Sequence, residues 1–144
     1  MTAVLIREFV PADADPVIAL WRDCGLLRPW NDPERDIARK LADSPWGLLV
    51  AEVDGRIVGA TMVGYDGHRG SINYLAVAPD LQGMGLGNDL VTHAEALLLA
   101  RGCPKVNLSV RGDNSGAIAS YERLGYVVEG SDHAVALGHR LIAD

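Results

Sequence analysis

The chain has 144 residues, 49% apolar and 22% charged, the composition of an ordinary folded domain rather than a disordered segment. At that length one domain is expected, folding on its own core without a disulfide framework or structural metal. Thirteen Lys and Arg against nineteen Asp and Glu leave a formal charge of −6, which excludes broad electrostatic binding to nucleic acid and mildly favours a cationic partner such as an amine.

Cys24 and Cys103 form no CxxC pair, and with four scattered histidines they make no zinc spacing, so a reducing cytoplasm and no metal are expected. The opening MTAVLIREFV lacks a basic segment followed by a long apolar run, so no export signal is expected. The most apolar helical stretch, Ala94 to Ala100, falls far short of the ~20 residues that span a bilayer, so no membrane partner is expected either.

In chain order, Leu5 to Phe9 alternates as a strand and Pro16 to Cys24 spaces Val17, Leu20, Trp21 and Cys24 as a helix ended by Gly25. After a loop, a second short helix runs from about Pro33 to Ala42. Gly47 to Val53 and Arg56 to Tyr65 flank Asp54-Gly55, the signature of a type I′ hairpin, and Ser71 to Val77 continues the antiparallel meander. A long amphipathic helix spans Leu86 to Arg101. It is followed by a strand over Lys105 to Val110, a helix over Asn114 to Leu124, and closing strands over Tyr126 to Gly130 and Ala134 to Ile142. The whole reads as one α+β domain over residues 1–144, a mixed and mostly antiparallel sheet flanked by about four helices.

The most informative stretch runs from Leu75-Ala76-Val77 through Gln82-Gly83-Met84-Gly85-Leu86-Gly87-Asn88. Three alternate glycines between a strand and a helix expose successive backbone N–H groups beside a helix N-terminus, a turn suited to a diphosphate or merely to tight packing. A dinucleotide fingerprint would want glycine at position 88, where Asn88 stands, and parallel βαβ units where a meander stands.

Gln82-x-x-Gly85-x-Gly87 after an apolar strand, then Asn114 and Tyr121-Glu122-Arg123-Leu124-Gly125-Tyr126, resembles the Gcn5-related N-acetyltransferases along the whole chain. The segments Leu26 to Glu34, Gly64 to Ser71 and Arg101 to Lys105 look like the bacterial YpeA-type subgroup. The resemblance implies acetyl transfer from acetyl-CoA to a primary amine on a small molecule or peptide; a monomer or a homodimer is expected. It implies cofactor contacts along Leu75-Ala76-Val77 and Gln82 to Asn88, an oxyanion donor at the Val77 N–H, and Asn114 on the cofactor's amide-bearing arm or as a helix cap.

Tyr121, two helical turns after Asn114, is the expected donor to the leaving thiolate; the alternative is a core tyrosine. Arg123 either reaches the outer phosphate or faces solvent. Ser71 stands where many histone-directed relatives carry a glutamate base, and Asn73 beside it is also uncharged. Asp66 and His68 on the preceding turn, or waters relayed from Ser71 or Asn73, are therefore the candidate proton acceptors. Arg28, Trp30, Asn31 and Asn73 are expected in the acceptor pocket. With no carboxylate on that strand, an acyl-CoA-binding sensor without transfer activity is the alternative function.

Overall fold

In the computed structural model, which describes residues 3–129 and 136–144, the chain opens with strand β1 (Leu5–Glu8). Helices α1 (Ala14–Asp23) and α2 (Pro33–Asp43) follow. Then come β2 (Leu48–Val53), β3 (Arg56–Tyr65), β4 (Gly70–Val77), helix α3 (Leu86–Ala100) and the two-residue strand β5 (Val106–Asn107). These belong to one compact unit, Met1–Leu108; a second, Ser109–Asp144, contains α4 (Ser115–Arg123).

The sheet has the order β1-β2-β3-β4-β5, antiparallel through β4 and parallel between β4 and β5. Its central register follows from the Asp54-Gly55 turn, where both residues take the positive φ of a type I′ hairpin, 50° and 77°. A Cβ on Gly59 of β3 would meet Leu90 of α3, whereas Met62, three residues on and on the opposite face, lines a cavity with Asp36 of α2. The sheet is therefore covered by α3 on one face and by α1 and α2 on the other.

Helices α1 and α3 each bury the stripe that their spacing prescribes. Val17, Ile18, Leu20 and Trp21 of α1 are buried, as are Leu86, Leu90, Val91, Ala94 and Leu98 of α3. Removing such side chains from water is worth about 1.5–3 kcal/mol each. Helix α2 buries only Ile37; its start is set by Pro33 and by the Asp32 carboxylate, which accepts from the N–H of Glu34 and Arg35.

The expected strand over Lys105 to Val110 contracts to β5. Residues 126–129 and 136–142 of the expected closing strands carry no strand, and the rest of those two segments lies outside the described residues. A strand needs a ladder partner, and the Tyr126 N–H donates instead to Tyr121 O at the end of α4. Among the described residues, no helix is long and apolar enough to cross a membrane.

Asp13 ties the N-terminal strand to the first helix. Its carboxylate accepts two hydrogen bonds from the Arg7 guanidinium, at 2.8 and 3.0 Å, and one from the Val10 N–H at 2.8 Å. The Arg7 guanidinium holds the Asp13 carboxyl below its ordinary range. Because the folded pKa lies below the unfolded value of about 3.9, this stabilisation is complete above that value and is lost as pH falls through the folded pKa. Arg7→Met should therefore cost about 2 kcal/mol at pH 7, less than a fully buried pair would, and the wild-type advantage should vanish in denaturation curves taken well below pH 4. Equal stability of the two proteins at pH 7 would contradict this.

Candidate active site

Strand β4 is interrupted where the site forms. Ala76 faces Ala60 and Asn73 faces Met62, so Tyr74 and Leu75 together oppose the single residue Thr61 in a β-bulge. Tyr74 takes φ 53°, a left-handed conformation that costs a non-glycine residue about 1–2 kcal/mol. It is held there from two sides. Its ring stacks on buried Trp21 with centroids 4.2 Å apart, and its hydroxyl donates to Asp36 Oδ2 at 2.8 Å.

Beyond the bulge the hydrogen-bond parity exposes an edge. The Ala78 N–H donates to Val58 O, so Ala78–Val58 and Ala76–Ala60 are the hydrogen-bonded pairs and Val77 faces Gly59 in a non-hydrogen-bonded pair. The Val77 N–H, and that of Leu75 two residues back, thus point away from β3. Strand β5 pairs only with Gly70 and Ser71, leaving this end of β4 without a second neighbour among the described residues. The Val77 carbonyl on the same edge accepts from Gln82 Nε2 at 3.1 Å and Cys24 Sγ at 3.2 Å.

The glycine-rich loop follows directly. Gln82, Gly83, Met84 and Gly85 are exposed, and Gly83 and Gly85 have φ of 82° and 86°. A Cβ on either glycine would meet nothing within 4 Å, so the requirement is conformational rather than one of packing. Gly85 is the N-cap of α3 and offers no side-chain cap. The first intrahelical bond runs from Asp89 N to Gly85 O, so the amides of Leu86 and Gly87 sit ahead of it at the positive end of the helix. No Lys or Arg lies between Ala78 and Val91, but folding brings in Arg56, whose guanidinium grips Asp80 at 2.9 and 3.0 Å.

In the second unit, the Asn114 side chain caps α4 by accepting from Ala117 N at 3.1 Å. Tyr121, two turns later, packs edge-on against Tyr126 at 5.6 Å, and burial pushes its phenol pKa up. Arg123 is exposed.

A cavity of about 610 Å³ opens beside the bulge between α2 and β4. Leu26 and Met62 give it an apolar side; Asn31, Asp36, Arg39, Lys40 and Asn73 give it a polar one. Of the four expected pocket residues, Asn31 and Asn73 line it. Trp30 is 58% exposed, and Arg28 turns back to the carbonyls of Gly25 and Leu27.

The expected proton acceptors lie elsewhere. Asp66 and His68 sit on the exposed β3–β4 turn, and Gly70 to Val77 spans roughly 20 Å of strand at ~3.3 Å per residue. The Asp66 carboxylate accepts from the N–H of Arg69 and of His68, both at 2.7 Å, and these bonds hold its pKa below the usual range. Ser71 points its hydroxyl over Gly64 on β3. The carboxylate that folding does bring to the bulge is Asp36, 38 positions from Tyr74 in sequence, which no local pattern singles out.

A family model described as the acetyltransferase (GNAT) family matches residues 14–126. The chain is 55% identical over 139 residues to an acetyltransferase of Sodalis glossinidius and 54% identical over 139 residues to an uncharacterized N-acetyltransferase of Yersinia pestis. Each alignment covers 96% of both chains. Among solved structures, Ard1 from Thermoplasma volcanium is similar at 27% identity and TM-score 0.75, over 88% of this chain and 84% of that one. The ribosomal-protein-S18-alanine N-acetyltransferase of Escherichia coli shares the fold at 23% identity and TM-score 0.72, over 85% and 77%.

If the loop glycine serves conformation, Gly85→Ala should cost about 1–2 kcal/mol, or roughly 3–6 °C in melting temperature. Gly67→Ala, at φ 91° on the distant turn and equally unobstructed, should cost the same. A melting temperature unchanged in Gly85→Ala would show that the left-handed conformation is not required.

Proposed function

The chain belongs to the GNAT acetyltransferase family and is an N-acetyltransferase, and on that premise we propose that it moves the acetyl group of acetyl-CoA to a primary amine by direct attack in a ternary complex. The observation that carries the reading is the junction of β4 with α3. There an open strand edge able to pair with an amide-bearing arm meets uncapped helix amides able to receive a diphosphate.

In this reading the amine nitrogen attacks the thioester carbonyl and forms the N–C bond, and its oxygen becomes an oxyanion. The N–H groups of Val77 and Leu75 face the edge where such an oxyanion would be stabilised, and pre-aimed backbone donors are an effective way to do it. The backbone of Leu75 and Val77 pairs with the cofactor's arm while Ala76 between them stays bonded to Ala60 on β3, and the segment Gln82 to Asn88 cradles the diphosphate. Asn114 assists on the arm and Arg123 on the outer phosphate. Collapse of the intermediate breaks the C–S bond and Tyr121 protonates the thiolate, while the nitrogen sheds its second proton, which restores the phenol through solvent. Burial raises the Tyr121 pKa, so its proton is retained throughout the neutral range.

An attacking ammonium, with a pKa near ~10.4, must first lose a proton. Asp36, held at the bulge by Tyr74, suits that role better than Asp66, His68 or Ser71, whose positions lie along or beyond the far half of β4. Asn31 and Asn73 border the acceptor.

Calorimetry should find micromolar binding of CoA to the wild type, weakened in Gly85→Ala and unchanged in Gly67→Ala. Tyr121→Phe should keep CoA binding and lower kcat about 100-fold. Tight CoA binding with no CoA release against peptides, amines and aminoglycosides would favour the binding-module alternative. Undiminished turnover in Tyr121→Phe would remove the tyrosine from the mechanism.

A further inference from the structure

The charge of the α2–β4 cavity runs against that of the molecule. The chain carries −6, yet this cavity is lined by two cations, Arg39 and Lys40, and one carboxylate, Asp36. A polycationic acceptor, such as a polyamine or a lysine-rich peptide, would find acidic surface elsewhere on the molecule and net positive charge here.

The charges are also arranged in a definite order. Asp36 faces the bulge through its hydrogen bond with Tyr74. Arg39 lies one helical turn further along α2, its Nη1 3.7 Å from Asp36 Oδ1. That separation is longer than the roughly 2.7–2.9 Å of a tight charge-assisted bond, so the two groups form a loose ion pair. Lys40 is fixed in the wall: its ammonium donates to Ser44 Oγ at 2.8 Å and to the Val63 carbonyl, and lies over the Trp46 ring. A negative group next to positive groups, with the negative one nearer the bulge, is the complement of an amine that bears its own anion a few bonds away. The neutral amides of Asn31 and Asn73 supply further hydrogen bonds, and about 610 Å³ suits a small molecule or the end of a peptide.

We propose that this cavity takes a zwitterionic acceptor, a primary amine with a carboxylate or phosphate two or three bonds away. Asp36 receives the ammonium, while Arg39, backed by the Lys40 charge, receives the anion. The inference rests on the acetyl-transfer reading for its choice of amine. It makes Arg39 the specificity-determining residue and leaves the chemistry to the groups around the bulge.

The test is an acceptor panel read by CoA release, with β-alanine and 2-aminoethyl phosphate as the two anionic arms, ethanolamine and glycinamide as neutral amines, and spermidine as the cation. Binding of each to the CoA-loaded protein is measured in parallel by calorimetry. The anionic amines should have a kcat/KM at least tenfold above the neutral ones, and the better of the two arms identifies the anion. Arg39→Gln should raise KM for the anionic acceptors at least tenfold, leaving kcat and the KM for acetyl-CoA within twofold. Arg39→Glu should turn the preference towards spermidine. Because Arg39 is solvent-exposed, neither variant endangers folding. Preference for spermidine or glycinamide by the wild type, or an unchanged KM in Arg39→Gln, would overturn the inference while leaving acetyl transfer intact. Binding of the zwitterions without acetylation of any amine would support the cavity assignment and overturn the transfer reading. Neither binding nor acetylation of the zwitterions would overturn the cavity assignment.

Discussion

The bulge at Tyr74 is the constraint from which the site follows. One extra residue in β4 reverses which side chains meet which face, so Asn73 and Tyr74 in succession serve the α2 side before normal alternation resumes at Ala76. The same insertion sets the parity that turns the Val77 N–H away from β3. A left-handed tyrosine is unfavourable by itself, and its cost is offset by stacking on Trp21 and by the bond to Asp36. Helices α1 and α2 are thereby built into the geometry of β4 rather than merely laid over it.

The two ends of the site handle charge in different ways. At the loop, the amides and dipole of α3 provide the positive end, and the nearby cation Arg56 is already engaged by Asp80, whose carboxyl it holds below its ordinary range. An anion bound there would depend on backbone donors whose positions are fixed by two left-handed glycines. At the cavity, charge comes from side chains of α2, where adjacent turns place Asp36 and Arg39 on one side of the helix. The low charge density of the loop and the mixed charge of the cavity explain why a net charge of −6 carries little information about the ligands.

Much of the architecture was legible because it is local. The Asp54-Gly55 hairpin, the stripe from Leu86 to Leu98, the Asp32-Pro33 helix start and the Gly83–Gly85 loop each depend on residues close together in sequence. The closing strands were not legible in the same way: an alternating apolar run marks a segment able to form a strand, whereas a strand exists only where a ladder partner is in place. The same distinction separates Asn73, which lines the cavity, from Trp30, whose exposure depends on the path of the whole loop between α1 and α2.

By itself the sequence determined most of the order of the elements, and its motifs carried the resemblance to the family and the expectation of a cofactor loop, since turn chemistry and motif spacing are properties of contiguous residues. Only the tertiary structure decided that Tyr74 forms a bulge, that Asp36 rather than Asp66 is the carboxylate beside it, and that Arg39 and Lys40 share its cavity. Those facts rest on packing α2 across a sheet between positions 38 residues apart, and such a contact leaves no signature in the local pattern of either segment.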